Sequence, residues 1–405
     1  MQKEIMETRV KIGLIGFGTV GEGLCQVLEK SPSVRARVLK ICVKNLSKER
    51  SLEKEMFTND IDELLNNEEI NLIVELIDDA EEAYHIVKKA LIKGKSVVSG
   101  NKKMIASHIS ELIQLQKENN VAMLYDASAC GSIPVIRNLE EYYDNDLLKS
   151  ITGILNGSSN YILTRIFNDG QDYATALKKA QDLGFAESNP IFDVEGFDSL
   201  YKLVILTVHG FGTIVNPDDV LNHGISNVSD FDIQYAKEKD YRIKLTAQVI
   251  KINQQEITMF VLPRLVTRDK YIYGVEDEFN GVVIQGEAYD KQFMFGKGAG
   301  GHPTGASVLS DITARRHNYK YEYKKRKYFD IPEYTTNYEL ELYLRYKNEA
   351  DLNLFEFKEI KERFTSKQNN YVIGTIKLDK LLKIKNKLPD LDVFIAYIGG
   401  SGNTY

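Results

Sequence analysis

The stretch that decides the fold is residues 10–21, VKIGLIGFGTVG, where an apolar run leads directly into a glycine-rich turn. The run predicts a buried strand, and residues 22–30 after the turn have the spacing of an amphipathic helix. At such a junction Gly18 lets a pyrophosphate approach the backbone, while the helix start offers N–H groups and partial positive charge. The stretch therefore predicts a dinucleotide site, whose candidate residues are Gly16, Gly18, Thr19, Val20 and Gly21. The alternative is a glycine-rich turn without a ligand.

Apolar runs alternate with helical patterns from residue 10 to about residue 126. The later runs are residues 38–43, 72–76, 97–99 and 121–124. Buried strands separated by helices indicate a parallel sheet covered on both faces. The prediction is an α/β, Rossmann-type doubly wound sheet in residues 1–135, completed by a helix at residues 304–317.

In the remaining chain, predicted strands and helices no longer alternate regularly. Residues 136–303 mix helical patterns with a plausible hairpin, and they predict an α+β substrate-binding and dimerisation domain. Residues 318–334 are basic and rich in tyrosine, and we interpret them as a solvated linker rather than a nucleic-acid contact. Residues 335–405 predict a small separate α+β unit, with a helix expected at residues 354–364.

Composition excludes several classes of function. The 405 residues suggest two or three domains, and a net charge of −6 argues against a nucleic-acid partner. Three cysteines make a poor disulfide framework and fit a reducing compartment. No stretch reaches bilayer length and no signal peptide is evident, so we expect a cytoplasmic protein without a membrane partner.

The residue after the second strand bears on the choice of cofactor. A site that prefers NAD usually has an acidic residue there for the ribose 2′-hydroxyl, whereas this chain has Lys44. Lysine suits a 2′-phosphate, so NADP is favoured and NAD is the alternative. Lys44 could equally be a solvated lysine at a strand end.

Three further segments carry a resemblance to a known family. They are residues 97–103 (VVSGNKK), residues 154–161 (ILNGSSNY), and residues 187–198 (ESNPIFDVEGFD) followed by Lys202. Together with the glycine turn they closely resemble the homoserine dehydrogenase family from about residue 9 to residue 317. The resemblance implies NAD(P)-dependent interconversion of L-homoserine and L-aspartate 4-semialdehyde, both of them small-molecule substrates.

Oxidising an alcohol with a nicotinamide removes a hydride from carbon and a proton from oxygen, so a proton acceptor is needed. The resemblance implies that Lys102 and Lys202 converge on the hydroxyl and exchange this proton. Asp198 lies one helical turn before Lys202, and the alternative for that pair alone is an ordinary exposed ion pair. The implied substrate-binding residues are Glu187, Asp193, Asp198, Asn156 and Ser158. The further implied cofactor-binding residues are Ser99, Asn101, Lys102 and Gly301, in addition to Lys44 after the second strand.

Residues 125–134 resemble the segment with which the family holds a monovalent cation. The implied sodium or potassium ligands are Asp126 and the carbonyl oxygens of Ala129, Gly131 and Ile133. Carbonyl oxygens suit a hard cation, but Asp126 is shorter than the glutamate that is usual there.

Another departure motivates a second hypothesis. Asp78 and Asp79 stand where the family usually has a glycine pair beside the cofactor, and their charge could repel a dinucleotide. The alternative function is therefore a degenerate nucleotide-binding paralogue with a regulatory role. The order of elements after residue 335 loosely resembles a short ACT domain, and a homodimer or homotetramer is expected.

Overall fold

A computed structural model describes residues 10–400. These residues fall into two compact units. The first contains residues 10–142 and 297–323, and the second contains residues 143–296 and 324–400.

The secondary structure alternates regularly in the first unit and is more mixed in the second. The strands are β1 (Val10–Ile15), β2 (Ala36–Cys42), β3 (Phe57–Thr58), β4 (Leu72–Glu75), β5 (Ser96–Ser99), β6 (Met123–Leu124), β7 (Leu148–Ile154), β8 (Leu221–Asn222), β9 (Arg242–Lys251), β10 (Glu256–Val266), β11 (Phe279–Gly286), β12 (Asp290–Lys297), β13 (Glu333–Tyr334), β14 (Glu339–Tyr346), β15 (Glu359–Thr365), β16 (Asn370–Lys377) and β17 (Val393–Gly400). The helices are α1 (Thr19–Glu29), α2 (Ile61–Leu65), α3 (Ala80–Ile92), α4 (Lys102–Glu118), α5 (Ala127–Cys130), α6 (Val135–Glu141), α7 (Gly157–Asp169), α8 (Tyr173–Asp182), α9 (Ile191–Val194), α10 (Phe197–Phe211), α11 (Asp230–Glu238), α12 (Gly301–Arg316), α13 (Lys324–Tyr328), α14 (Glu349–Leu352) and α15 (Leu378–Ile384).

The first unit contains a six-stranded sheet in the order β3-β2-β1-β4-β5-β6. Every pair of neighbouring strands is parallel. This order reverses direction beside β1, and in such sheets ligands bind outside the carboxyl ends of the strands at the reversal. The prediction of a doubly wound sheet from the alternating apolar runs is confirmed, and the turn after β1 lies at the reversal.

The second unit contains an eleven-stranded sheet, whose path runs β12-β11-β7-β9-β10-β17-β14-β16-β15. The predicted hairpin is confirmed, because β9 and β10 pair antiparallel along their whole length. The strands after residue 335 join the same sheet through a parallel contact between β10 and β17, at Arg264 and Tyr397. Phe260 and Leu262 of β10 belong to the same apolar cluster as the C-terminal strands.

The C-terminal part of this sheet follows the order β14-α14-β15-β16-α15-β17, a βαββαβ sequence of elements. The expected helix at residues 354–364 is wrong, because β15 occupies Glu359–Thr365 and pairs with β16. All seven residues of β15 are exposed, so the strand has no buried face from which its period could be recognised.

Two tyrosines of the expected linker, Tyr321 and Tyr323, are not solvated, whereas Tyr328 is 65% exposed. Tyr321 has no exposed surface and Tyr323 is buried within the first unit. Gln116 donates a hydrogen bond to the carbonyl oxygen of Tyr321, and the hydroxyls of Tyr125 and Tyr323 lie 2.9 Å apart. Tyr321 and Tyr323 therefore belong to the packed interior of the first unit. Across residues 10–400, every helix is too short or too polar to cross a bilayer.

Candidate active site

The glycine turn after β1 has the geometry that a dinucleotide requires. Gly16 adopts φ +92°, and a Cβ atom there would lie 2.5 Å from the carbonyl oxygen of Leu76. Gly18 faces open space, since nothing described lies within 4 Å of a Cβ built on it. No side chain of residues 10–400 caps α1, so its first N–H groups are left for another acceptor. The turn fits a phosphate-bearing ligand.

A cavity of about 780 Å³ opens beside this turn within the first unit. Its lining residues are Phe17, Gly18, Thr19, Glu22, Gly23, Gln26, Lys48, Glu49, Arg50, Ser51, Gly301 and His302. The predicted residues Gly18, Thr19 and Gly301 therefore share one cavity. Gly16, Val20 and Gly21 shape the turn without being among the lining residues.

Arg50 also lines this cavity, although it was not among the cofactor-binding residues predicted from the sequence. Its guanidinium lies 5.0 Å from the ring centroid of Phe57 and donates to the carbonyl oxygens of Asn45 and Lys48. Ser51 donates to the Glu22 carboxylate at 3.0 Å, which ties the same loop to α1. A guanidinium held in this way is suited to an anionic ligand. The only sequence signal was a basic residue in the loop between β2 and β3.

Lys44 lies two residues beyond the end of β2 and is exposed. Its Nζ atom pairs with the Glu82 carboxylate at 2.5 Å, and this hydrogen bond raises the pKa of Lys44. Asp79 caps α3 by accepting from the Glu82 amide at 2.9 Å, which lowers the pKa of Asp79. One of the two unexpected carboxylates thus has a structural role at a helix start.

Asn101 caps α4, whose first residue is Lys102. The Asn101 side chain accepts from the Met104 amide at 3.0 Å and donates to the carbonyl oxygen of Ile77, also at 3.0 Å. Ser99 is fully buried, and its hydroxyl contacts the Glu75 carboxylate. Lys102 is half-buried. The predicted residues Ser99, Asn101 and Lys102 therefore lie together at the junction of β5 and α4.

The second unit gathers most of the predicted substrate residues into one cluster. Asn156 caps α7, and its Nδ2 atom donates to Asp193 at 2.7 Å and to Asp198 at 3.0 Å. Lys202 donates to Asp198 Oδ2 and to the carbonyl oxygen of Leu155, each at 2.7 Å. The side chains of Asp198 and Lys202 are only 4% and 9% exposed. The interpretation of this pair as an exposed surface ion pair is therefore wrong.

Asn280 also belongs to this cluster and was missed. Its Nδ2 atom donates to the Leu155 carbonyl oxygen at 3.0 Å, the same atom that Lys202 contacts. Its Oδ1 atom is buried and has no hydrogen-bond partner among residues 10–400. A lone asparagine in a strand carries no sequence signal of such a role.

Two predicted substrate residues lie outside the cluster. Glu187 is exposed, and its carbonyl oxygen accepts from Gln181 at 3.0 Å. The hydroxyl of Ser158 donates to the carbonyl oxygen of Phe185 at 2.5 Å. Their roles toward a substrate stay predictions.

The predicted cation ligands lie in and around α5. Asp126 Oδ1 accepts from the Arg137 amide at 3.2 Å, and the Asp126 amide donates to the buried Asp311 at 2.9 Å. The carbonyl oxygen of Ile133 accepts from the Val135 amide at 2.8 Å. Ala129 is buried, and Gly131 adopts φ +56°. The cation stays a prediction.

The strand order and the open glycine turn define a dinucleotide-binding protein of the Rossmann class. Two family models match: "Homoserine dehydrogenase, NAD binding domain" at residues 16–126 and "Homoserine dehydrogenase" at residues 134–313. The homoserine dehydrogenase of Bacillus subtilis is 35% identical over 314 residues, which cover 75% of this chain and 72% of that relative. The chain belongs to the homoserine dehydrogenase family and is an oxidoreductase.

Solved structures agree with this assignment. A homoserine dehydrogenase from Thiobacillus denitrificans superposes with a TM-score of 0.84 at 27% identity, covering 96% of this chain and 98% of that one. A hyperthermophilic archaeal homoserine dehydrogenase mutant in complex with NADPH gives a TM-score of 0.67 at 27% identity, covering 77% and 99%. None of these similarities favours the degenerate paralogue.

Proposed function

We propose that the protein interconverts L-homoserine and L-aspartate 4-semialdehyde with NADP, and that Lys102 and Lys202 transfer the proton. The observation that carries the proposal is the buried pair of Lys202 and Asp198, which Asn156 and the Leu155 carbonyl hold in a fixed geometry. Burying two opposite charges is costly unless their hydrogen bonds are satisfied. A pair kept in this way, in a chain of this family, is expected to serve the reaction.

The donors of Lys202 indicate how the lysine acts. An ammonium group has three N–H donors, and within residues 10–400 two of them are used, by Asp198 and Leu155. The third is left for the substrate oxygen. Reduction of the aldehyde would draw its hydride from a bound nicotinamide, and the protonated lysine would donate its proton to the developing alkoxide. Asp198 and Leu155 keep the ammonium from rotating away. We assign Lys102 a role in the same proton transfer.

The carboxylates of the second unit suit the substrate's ammonium group. We propose that Asp193 contributes to this contact, because Asn156 fixes Oδ1 of Asp193 at 2.7 Å. Glu187 is the second proposed partner of the ammonium group, and its exposure leaves its carboxylate accessible. Asn156 and Ser158 are proposed to shape this pocket from the start of α7.

The choice of NADP rests on the basic side chains at the first-unit cavity, which Glu22 and Glu49 also line. Arg50 and Lys48 line the cavity, and Lys44 lies at the end of the neighbouring strand β2. Guanidinium and ammonium groups favour a ligand that carries an additional phosphate. The NADPH complex of the archaeal relative is consistent with this preference.

Four further assignments belong to the same proposal. A sodium or potassium ion is held by Asp126 and neighbouring carbonyl oxygens, and the cytoplasm is the location of the enzyme. The assembly is a homodimer or homotetramer, supported by exposed aromatic side chains on the second unit, where Tyr271 and Phe293 are 54% and 36% exposed. The βαββαβ segment after residue 338 is an ACT-like domain.

The test is to mix the purified full chain with L-homoserine and either NADP⁺ or NAD⁺ and to follow the absorbance of the reduced cofactor. We expect turnover that is faster with NADP⁺ at limiting cofactor. We also expect turnover to collapse in Lys102→Ala and in Lys202→Ala. Unchanged turnover in both variants would remove the lysine mechanism. Cofactor binding without any turnover would instead support a regulatory protein.

A further inference from the structure

A fully buried acid, Glu75, lies at the end of β4 and has no part in the chemistry proposed above. It follows three apolar residues of the strand and is paired in register with Ser99 at the end of β5. Its side chain has no exposed surface. A carboxyl group in such a place must have its hydrogen bonds satisfied, so its partners indicate what it does.

These partners form a closed ring. Glu75 Oε1 accepts from the Ile77 amide at 2.7 Å, and Glu75 Oε2 lies 2.5 Å from the Ser99 hydroxyl. The Ser99 oxygen accepts from the Asn101 amide at 3.1 Å. The Asn101 side-chain amide closes the ring by donating to the carbonyl oxygen of Ile77 at 3.0 Å. Four residues on two neighbouring strand ends are thereby fixed to one another.

The ring reaches the catalytic helix through Asn101. The same side chain that contacts Ile77 also caps α4 at Met104, and Lys102 is the first residue of that helix. On the other side, the Ile77 backbone leads into Asp78 and Asp79, where the sequence departs from the family pattern. The ring therefore holds both segments that border the predicted cofactor contacts of Asn101 and Lys102.

The ring can persist in either protonation state of the acid. Burial raises the pKa of Glu75 to about 7, against the contacts with Ser99 and Ile77, which lower it. As a carboxylate, Glu75 accepts from the Ser99 hydroxyl. As a neutral acid, it can donate to the same oxygen, while its other oxygen still accepts from Ile77. The connection is thus one of geometry rather than of charge.

We propose that Glu75 is a positioning residue, which fixes the start of α4 and with it Lys102 through the ring of Glu75, Ser99, Asn101 and Ile77. The catalytic part of this inference rests on the proposed function. Displacement of a reacting group by a fraction of an ångström slows chemistry strongly while ground-state binding changes little.

The test compares replacements that keep or break the ring. Glu75→Gln keeps an oxygen for Ile77 and offers an amide N–H to Ser99, whereas Glu75→Met has a similar volume and neither group. Ser99→Ala breaks the ring at another member. We expect kcat to stay within about threefold of wild type in Glu75→Gln, and to fall about 10- to 100-fold in the other two with a smaller change in KM. Glu69→Ala, which removes an exposed partner of Lys11, is the matched control.

A second measurement is independent of activity. Hydrogen–deuterium exchange of the peptide spanning residues 99–106 reports the order of the α4 start. We expect faster exchange in Glu75→Met and Ser99→Ala, and wild-type exchange in Glu75→Gln. Wild-type exchange in all variants would overturn the inference, as would an equal loss of kcat in Glu75→Gln and Glu75→Met. If the wild type lacks turnover, the proposed function fails, and exchange alone decides whether the ring orders this helix.

Discussion

Lys202 Nζ lies 2.7 Å from Asp198 Oδ2, and both side chains are almost entirely buried one turn apart on α10. The same spacing on α8 joins Lys178 and Asp182, whose side chains are 68% and 60% exposed. Exposed pairs of this kind contribute little to stability, whereas a buried pair must be compensated by its surroundings. The exposed Lys178 therefore serves as a matched control for the buried Lys202 in the same unit.

We expect Asp198→Asn and Lys202→Met to reduce kcat by about 100-fold or more, because each leaves the proton-transfer geometry incomplete. Lys178→Met should leave kcat unchanged. Steady-state kinetics at saturating NADPH check this, and fluorescence titration of NADPH shows whether cofactor binding survives. Equal kcat in Lys202→Met and Lys178→Met would contradict the assigned role.

The pairing of Lys44 with Glu82 leads to a prediction about cofactor choice. Lys44→Ala should weaken NADPH binding about tenfold and leave NADH binding nearly unchanged, since only NADPH carries the additional phosphate. Glu82→Gln should strengthen NADPH binding, because it removes the competing carboxylate. The measurement is the dissociation constant for each cofactor, with Lys11→Ala as control. Parallel changes for NADH and NADPH would show that Lys44 does not distinguish them.

The two glycines of the turn should behave differently when alanine replaces them. Gly18 faces open space, so Gly18→Ala should change the free energy of unfolding by less than about 0.5 kcal/mol and weaken cofactor binding at least tenfold. A Cβ atom at Gly21 would lie 2.5 Å from the Gly16 carbonyl oxygen, so Gly21→Ala should cost about 1–3 kcal/mol of stability. Urea unfolding and NADPH titration of both variants test this. An unstable Gly18→Ala with normal binding would refute it.

Much of the fold of the first unit could be predicted because the sequence patterns that indicate its strands and helices lie within short stretches of the chain. An apolar run, a glycine turn and an amphipathic helix adjoin in residues 10–30, and this local order indicates a parallel sheet. The i,i+4 spacing also placed Asp198 beside Lys202 correctly. The buried Lys202 also contacts the Leu155 carbonyl oxygen, which Asn280 contacts in turn, and both residues lie far away in sequence.

Other structural features are not indicated by any pattern within a short stretch of sequence. The ring around Glu75 joins two strand ends whose register arises only on folding. Strand β15 is exposed on all its residues, so its charged sequence could not reveal a buried face. Arg50 lines the first-unit cavity from a loop in which its guanidinium contacts Phe57 and the Asn45 carbonyl oxygen. Backbone acceptors and strand register thus account for most of what the sequence did not reveal.

Lys244 lies on β9 and is only 2% exposed. Its ammonium donates to Asn160 Oδ1 at 3.0 Å and to the carbonyl oxygen of Val275. Burial, aided by the nearby Arg242, lowers the pKa of Lys244 from 10.5 to about 7. Between these two pH values the unfolded chain binds more protons than the folded chain at this group, so the free energy of unfolding rises with pH. Below pH 7 both states are protonated, and the cost of burying the ammonium is constant.

Urea unfolding at pH 7 and pH 9 measures this slope. We expect wild type to gain on the order of 2 kcal/mol relative to Lys244→Met over that interval, because the methionine variant has no proton to release there. Comparison with Lys244→Met cancels the contribution of other groups, including the buried tyrosines. Lys251→Met, on the same strand, should keep the wild-type slope. Parallel pH dependence of wild type and Lys244→Met would show that Lys244 remains protonated in the folded protein throughout this range.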